Sequence, residues 1–172
     1  MADRKLVISK QQIREKVNEL AARISADYNG KDLVMIGVLN GAFIFLADLA
    51  RAVTIPHQID FIRVASYGSK DAPSDTITMT KNVELDINDK HVLLVEDIID
   101  TGSTLNWVSE NFKNRKAASI RICTLIDKRE RRQKEVEIDY VGFTLENGFL
   151  VGYGLDYAEQ YRYLPEIYTL QQ

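Results

Sequence analysis

Cysteine and histidine are scarce in this chain. Its 172 residues include one cysteine, Cys123, and two histidines, His57 and His91, which lie far apart. A single cysteine cannot form an internal disulfide, and its place in an apolar run predicts that it is buried. Structural zinc sites typically use about four such ligands, and a cysteine–histidine nucleophile needs both residues side by side. Neither kind of site is therefore expected.

The sequence also lacks long apolar runs and an excess of positive charge. No apolar stretch reaches the ~18 residues of a membrane-spanning helix, and the N-terminal Met-Ala-Asp-Arg-Lys has no apolar signal core. The net charge is −3, with 45% hydrophobic and 27% charged residues, as in ordinary globular proteins. We expect one cytoplasmic domain, residues 1–172, with neither nucleic acid nor membrane as a partner.

The usual nucleotide-binding fingerprints are absent, but strands and helices alternate. There is no Walker sequence and no Gly-x-Gly-x-x-Gly after a strand. Helical spacing follows a capping box at Ser9 and recurs over residues 42–53 and after Leu105. Continuous apolar runs, typical of strands buried on both faces, occupy residues 33–38, 92–95 and 120–126. This alternation predicts an α/β fold with a mostly parallel, doubly wound sheet flanked by helices.

Residues 57–67 and 76–83 predict the two strands of a hairpin. The second segment alternates threonine with Ile, Met and Val, the pattern of a half-exposed strand. Residues 68–75 between them are rich in Gly, Ser, Asp and Pro, which predicts an exposed, mobile loop. Such a hairpin could cover a site, although its tip alone indicates no catalysis.

Residues 92–105 contain the strongest indication of function. Their apolar start leads directly to Glu96 and Asp97, then to Asp100 and to four small residues, Thr101-Gly102-Ser103-Thr104. We interpret this order as a strand, an acidic loop, a turn of small residues and the start of a helix. Ligands of open α/β sheets bind outside the carboxyl ends of the strands, where these acids are expected.

The four small residues have the composition of an anion site. Backbone N–H groups at a helix N-terminus attract phosphate, Gly102 permits close backbone approach, and the three hydroxyls are additional donors. Neighbouring acids would repel a bare phosphate, so the pattern suits a ligand that also carries ribose hydroxyls or Mg²⁺. A plain structural alternative is a cluster of helix-capping residues after a buried strand.

The order of two acids followed by a Thr-Gly-x-Thr loop resembles the phosphoribosyl-pyrophosphate signature of type I phosphoribosyltransferases. Further motifs that match this family are Leu39-Asn40-Gly41, Ser66-Tyr67-Gly68, Asp127-Lys128, and the segment 149–157 with Arg162. Together they resemble the members of the family that act on 6-oxopurines. The resemblance covers nearly the whole chain and implies the type I fold, with a small hood and a mobile hairpin.

The resemblance also implies a reaction. The 5-phosphoribosyl group of phosphoribosyl pyrophosphate would pass to N9 of hypoxanthine or guanine, giving IMP or GMP and pyrophosphate with Mg²⁺. Asp100 would act as general base at the purine N7, and Lys128 would donate to the 6-oxo group. Phe149 would stack on the purine ring, and the backbone of Leu150 would meet its edge.

The remaining implied roles concern the sugar phosphate, the metal and the closing loop. Glu96 and Asp97 would bind the ribose hydroxyls, and with Asp156 would hold Mg²⁺, mostly through water. Ser66 and Tyr67 would belong to the loop that closes over the site. The resemblance further implies a homodimer or homotetramer and a non-proline cis peptide in the 39–41 loop. The residues implied to bind phosphoribosyl pyrophosphate are Leu39, Asn40, Gly41, Glu96, Asp97, Asp100, Thr101, Gly102, Ser103, Thr104 and Arg162.

Two features depart from the family pattern. Asn40 stands where the family usually has Lys or Arg. Residues 146–148, Glu-Asn-Gly, give a more flexible approach to Phe149 than the family implies, and Leu150 is a mild change.

Other functions remain as alternatives. A regulator on the same fold would bind phosphoribosyl pyrophosphate or RNA without turnover, but would be expected to show a basic face or a DNA-binding domain, and neither is predicted here. The Asp127-Lys128 motif and the 149–157 segment argue against an adenine- or pyrimidine-specific transferase. Apart from Lys128, most of the charged run 127–135 is interpreted as a solvated loop.

Overall fold

A computed structural model describes residues 4–67 and 76–170, and in this part of the chain it contains two sheets and three helices. The helices are α1 (Lys10–Asp27), α2 (Phe43–Ala52) and α3 (Ser103–Lys113). The strands are β1 (Arg4–Ile8), β2 (Leu33–Leu39), β3 (His57–Tyr67), β4 (Thr76–Lys81), β5 (His91–Ile99), β6 (Ser119–Lys128), β7 (Tyr140–Leu145), β8 (Leu150–Val151) and β9 (Ile167–Leu170). The α/β class predicted from the sequence is confirmed.

The larger sheet has six strands in the order β4-β3-β2-β5-β6-β7, and only the β3–β4 pair is antiparallel. From β2 the chain passes through α2 to β3 on one side, whereas from β5 it passes through α3 to β6 on the other. β2 and β5 therefore form the topological switch point. The loops that leave their carboxyl ends diverge, and the crevice between them is where ligands bind in such sheets.

Both faces of the central strands are buried, which explains their continuous apolar runs. In β2, Leu33 and Met35 pack in a cluster with residues of α1 and α2, while Val34 and Ile36 pack on the opposite face with residues of α3. Cys123 of β6 is fully buried in the first cluster, as predicted. Burial raises the pKa of its thiol, so the group stays protonated and unreactive.

The smaller sheet, β1-β9-β8, is antiparallel and forms the hood that the resemblance implied. Strand β1 was not predicted, because its residues are mostly exposed and lack strand periodicity. Strand β8 covers only Leu150–Val151. The backbone then turns, since Gly152 and Tyr153 have φ values of 101° and 52°. No helix in the described residues combines the length and apolarity needed to cross a bilayer.

The predicted hairpin is present, and a buried carboxylate holds its base. β3 and β4 pair as far as Tyr67 opposite Thr76, while the predicted loop 68–75 lies outside the described residues. At the other end, Asp60 is 8% exposed. Its Oδ2 accepts the backbone N–H groups of Glu84 and Leu85, at 2.7 and 2.9 Å. This side chain therefore ties β3 to the segment that follows β4.

Hydrogen bonding decides the ionisation of Asp60. Burial opposes its charge, but the backbone N–H groups of Leu85, Phe61 and Glu84 and the ammonium of Lys81 outweigh that effect, so its pKa lies below the ordinary value. A carboxyl with a lowered pKa stabilises the fold above its ordinary pKa, and this contribution is lost as the pH falls through the folded-state pKa.

Replacing Asp60 by alanine should therefore destabilise the protein in a pH-dependent way. The change leaves three backbone N–H groups without their acceptor, and we expect the free energy of unfolding to fall by about 2–4 kcal/mol at neutral pH. The difference from the wild type should shrink as the pH falls below about 4. Urea denaturation over this range measures both quantities. Asp86→Ala is the control, since Asp86 is exposed and accepts one backbone N–H. Equal losses in the two variants would refute the role given to Asp60.

Candidate active site

The carboxyl ends of three parallel strands and one hood loop converge at the switch point. β2 leads into the 39–41 loop, β5 carries the acids and leads into 100–104, and β6 ends at Lys128. The structure thus brings together the predicted residues of the sheet edge with those of the hood, which are Phe149, Leu150, Asp156 and Arg162.

Glu96 and Asp97 lie within β5, which corrects the prediction of an acidic loop. The strand continues to Ile99, which lies opposite Asp127 of β6. Charged residues are rarely buried in a central strand, so the sequence pattern suggested an end at the first acid. Both carboxyls are nonetheless buried at the crevice, with exposures of 8% and 7%.

The two neighbouring acids have unusual electrostatics. Burial raises the pKa of Glu96 well above its ordinary value, and the adjacent charge of Asp97 adds to this effect. Burial also raises the pKa of Asp97, although hydrogen bonds from Glu96 and from the N–H of Ile98 and the charge of Arg162 oppose the rise. Glu96 is therefore the member of the pair that holds a proton more readily.

Asp97 lies where two glycine-containing loops come into contact. A Cβ atom on Gly41 would stand 2.0 Å from Asp97 Oδ2, and a Cβ atom on Gly154 would stand 2.1 Å from the carbonyl oxygen of Gly41. No side chain fits at either position. The Leu39–Asn40 peptide between β2 and this contact is cis, as the resemblance implied.

The small-residue turn has a cavity beside it. α3 begins at Ser103 with Gly102 as its N-cap at φ 81°, and no side chain caps the helix there. One residue earlier, Thr101 Oγ1 accepts the backbone N–H of Ser103 at 3.3 Å, so one hydroxyl does pair with the start of the helix. Residues of 96–105 line a cavity of about 190 Å³. Its position at a helix N-terminus suits an anion.

A second cavity lies on the other side of Asp100. It measures about 220 Å³, and Asp97, Ile98 and Asp100 line both cavities. Phe149 also lines this second cavity and is 43% exposed, with its ring edge-on to Tyr157 at 5.4 Å between centroids. Phe149 is therefore not a core residue. The other residues that line this cavity are Lys128, Arg131, Leu150, Leu155 and Asp156.

Cations flank one oxygen of Asp100, while the other oxygen has no partner. Oδ2 lies 3.6 Å from Lys128 Nζ and 3.4 Å from Arg131 Nη1. Within the described part of the chain, Asp100 Oδ1 and Arg162 Nε are both buried without a hydrogen-bond partner. Because buried polar atoms in proteins are nearly always bonded, two such atoms in one crevice indicate a site for a polar ligand.

Arg162 is held within the hood loop. Its Nη2 lies 3.1 Å from Asp156 Oδ1, and its Nη1 donates to the carbonyl of Gly154 at 2.7 Å. The side chains of Arg162 and Asp156 are 19% and 30% exposed, so this ion pair is part of the crevice and does not lie on the open surface.

Sequence and structural comparisons agree with this geometry. Residues 8–158 match the sequence profile of the phosphoribosyl transferase domain. The chain belongs to the phosphoribosyltransferase family. It is 44% identical over 171 residues to a hypoxanthine-guanine phosphoribosyltransferase of Mycobacterium tuberculosis (strain CDC 1551 / Oshkosh), covering 96% of this chain and 85% of that protein. The corresponding identity to the hypoxanthine phosphoribosyltransferase of Escherichia coli (strain K12) is 42% over 164 residues, covering 94% and 92%.

A solved structure has a closely similar fold. The hypoxanthine-guanine phosphoribosyltransferase of Bacillus anthracis superposes with a TM-score of 0.91 at 40% identity, and the match covers 99% of each chain. The predicted type I phosphoribosyltransferase fold is therefore confirmed.

The carboxylates of this phosphoribosyltransferase suit a partly hydrated Mg²⁺ ion. In the described residues, no group of three or more His, Cys, Asp or Glu side chains could hold a metal alone. Asp97 and Asp156 nevertheless line one cavity, whereas Glu96 lines the other. Mg²⁺ commonly keeps several waters and binds one or two carboxylates together with substrate phosphates. The donor set fits that mode of binding.

One charged residue beside the crevice of this phosphoribosyltransferase, Arg132, was not predicted from the sequence. Most of the 127–135 run apart from Lys128 is exposed, as predicted, but Asp127 is 1% exposed and the side chain of Arg132 is 10% exposed. No local feature distinguishes Arg132 from its charged neighbours, because its burial depends on contacts with β5. Ser66 is exposed near the end of β3, and closure of its loop stays a prediction.

Replacing Glu96 by glutamine should stabilise this phosphoribosyltransferase in mildly alkaline solution. Folding raises the pKa of Glu96, so its contribution to stability is complete below the ordinary value of 4.5 and is lost as the pH rises through the folded-state pKa. Glutamine carries no charge and avoids this loss, which is about 1.4 kcal/mol for each unit of pKa shift. Urea unfolding without ligands, at roughly pH 5 and pH 8, measures the difference.

The matched control is Glu137→Gln, because Glu137 is exposed. It should unfold like the wild type at both pH values. A Glu96→Gln variant without added stability at the higher pH would show that Glu96 is not a buried, unfavourably charged group.

Proposed function

We propose that this chain transfers the 5-phosphoribosyl group of phosphoribosyl pyrophosphate to N9 of hypoxanthine or guanine, with release of pyrophosphate. The observation that carries the proposal is the position of Asp100 between two cavities. Its Oδ1 is buried without a partner in the described chain, and its Oδ2 lies beside Lys128. A group in this position can contact a sugar phosphate on one side and a base on the other.

The cavity at the start of α3 is the proposed site of the 5′-phosphate. The backbone N–H groups around Gly102 and the hydroxyls of Thr101, Ser103 and Thr104 are the available donors. The ribose would then lie over β5, where Glu96 and Asp97 offer carboxylate oxygens to its hydroxyls. Carboxylates accept hydrogen bonds strongly, so this pair would orient the sugar.

The second cavity is the proposed site of the purine. Phe149 offers a ring face for stacking, the backbone of Leu150 lies at its wall, and Lys128 supplies an ammonium donor. A donor at this position pairs with the 6-oxo group of hypoxanthine or guanine. The 6-amino group of adenine is itself a donor, so adenine would place a donor against the buried ammonium where a 6-oxopurine places an acceptor.

Asp100 is the proposed general base. As the ribosyl carbon loses pyrophosphate, positive charge develops on the sugar, and N9 of the purine forms the new bond to that carbon. The purine must lose a proton in the same reaction, and we assign its acceptance, from N7, to the Asp100 carboxylate. Proton transfer of this kind typically contributes about 10²–10⁴-fold to the rate.

Pyrophosphate departure requires neutralisation of its charge. Arg162 and the backbone of the 39–41 loop are the proposed contacts, and Asn40 offers an amide there in place of the cation usual in the family. Asp156 and Asp97 would hold Mg²⁺ in the same region, with Glu96 nearby. When bound, the ion would withdraw charge from the leaving pyrophosphate.

Two further features complete the proposal. Closure of the hairpin that carries Ser66 and Tyr67 would exclude water, which could otherwise hydrolyse the activated sugar. Assembly into a homodimer or homotetramer stays a prediction from the resemblance.

The function is tested by turnover with different bases. Purified protein with Mg²⁺ and phosphoribosyl pyrophosphate should convert hypoxanthine and guanine to nucleotides, followed by ultraviolet absorbance. With adenine, kcat/KM should be lower by about 10² or more, because the Lys128 donor would face a donor instead of an acceptor. Xanthine completes the panel. Turnover of none of the bases would favour a binding protein without catalysis, and adenine as the best substrate would contradict the role of Lys128.

Asp100→Asn tests the general base. Asparagine keeps the size of the side chain but cannot accept the proton, so kcat should fall by about 10² or more. Binding of phosphoribosyl pyrophosphate, measured by titration calorimetry with Mg²⁺, should change little. The control is Asp86→Asn, an exposed position outside the crevice. Undiminished turnover in the Asp100 variant would exclude Asp100 as the base.

A further inference from the structure

One arginine outside the predicted site connects the ends of two strands. The side chain of Arg132 is 10% exposed, and its Nη2 forms an ion pair with Oδ1 of the fully buried Asp127. The same guanidinium donates to backbone carbonyls of both strand ends. Its Nε reaches the carbonyl of Asp100 at 3.0 Å, and its Nη2 reaches those of Lys128 and Ile99 at 3.2 and 3.4 Å.

These contacts reach the backbone of both residues whose side chains would face the purine. Asp100 follows β5 and Lys128 ends β6, and their side chains carry the proposed base and the proposed donor to the 6-oxo group. Arg132 binds the carbonyl of each. The separation of Asp100 Oδ2 and Lys128 Nζ, 3.6 Å, therefore depends on backbones that one guanidinium connects.

The small-residue turn, 101–104, at the proposed phosphate site is also held by hydrogen bonds of its own. The carbonyl of Thr101 accepts the backbone N–H groups of Gln133 and Lys134 at 2.9 and 3.0 Å, so the turn has hydrogen bonds that do not involve the guanidinium of Arg132. Loss of the guanidinium should consequently affect the purine side of the crevice more than the sugar-phosphate side.

We propose that Arg132 is a positioning residue, which sets the placement of Asp100 relative to Lys128 and thereby the proton transfer and the binding of the base. This inference rests on the proposed function. Arginine suits the task because its planar group donates in several directions at once, and a lysine ammonium could not reach the same set of acceptors. Arg132 itself need not touch either substrate.

The neighbouring Arg129 provides a matched control. It also binds Asp127, with Nε 3.1 Å from Oδ2, but its side chain is 62% exposed and, within the described residues, donates to none of the carbonyls of residues 99–101. Arg129→Gln and Arg132→Gln make the same chemical change beside the same carboxylate. Only the second removes the side-chain bonds to the carbonyls of both strand ends, which otherwise remain paired in the sheet.

The test compares these variants in steady-state turnover of hypoxanthine. Arg132→Gln should lower kcat at least about tenfold and raise KM for hypoxanthine, with KM for phosphoribosyl pyrophosphate within about twofold of the wild type. For Arg129→Gln, kcat, KM for hypoxanthine and KM for phosphoribosyl pyrophosphate should each stay within about twofold of the wild type. For Arg132→Ala, millimolar guanidinium should restore part of kcat, since the free ion can occupy the place of the lost group.

A double variant shows whether Arg132 acts through Asp100. If it does, Asp100→Asn with Arg132→Gln should be no slower than Asp100→Asn alone, because the misplaced base is already absent. The proposal would be overturned if the loss of kcat in the double variant equalled the product of the losses in the two single variants. Equal losses in the Arg129 and Arg132 variants would also overturn it, as would a parallel rise of both KM values together with a lower unfolding temperature, which indicates general damage.

The wild type, measured in the same series, separates the two hypotheses. Turnover by the wild type without a difference between the arginine variants rejects the positioning role alone. Absence of turnover by the wild type rejects the proposed function, and with it the role of Arg132 in that reaction.

Discussion

Three chain segments meet so closely beside Asp97 that only glycine can occupy two of the positions. Gly41 rests against the Asp97 carboxyl, and Gly154 rests against the carbonyl of Gly41. This contact fixes the loop after β2 and the hood relative to β5. The hood residue Asp156 and the β5 residue Asp97 can line one cavity because their backbones are held together here.

Burial in this closely packed region also explains the pKa shifts of the two acids. Burial raises the pKa of both Glu96 and Asp97. The charge of Asp97 adds to the rise for Glu96, whereas the hydrogen bond from Glu96 and the charge of Arg162 oppose the rise for Asp97. Such an arrangement is unfavourable by itself, because burying an ionised group without compensation costs free energy. A ligand with hydroxyl groups and a cation would supply that compensation. The acids are thus better matched to a complex than to the free protein.

The sequence predicted the central fold and the main site well, and it failed where burial depends on distant pairing. Runs of apolar residues identified β2, β5 and β6, since a strand covered on both faces has no polar alternation. Glu96 was assigned to a loop because a charge in such a strand is rare, and only the pairing of Ile99 with Asp127 reveals how far β5 extends. Arg132 was missed for a related reason. Its partners lie on another strand, and nothing in the charged run distinguishes it.

The spread of the crevice along the chain has a consequence for folding. Its residues extend from Leu39 to Arg162, and the parallel strands that carry them are joined by long crossovers through α2 and α3. Contacts between such distant residues form slowly, since each closes a large loop of chain. No short fragment contains the crevice, so a nascent chain can acquire affinity for a ligand only after most of the sheet has assembled. A bound ligand then stabilises only those molecules in which the whole chain from β2 to the hood has folded.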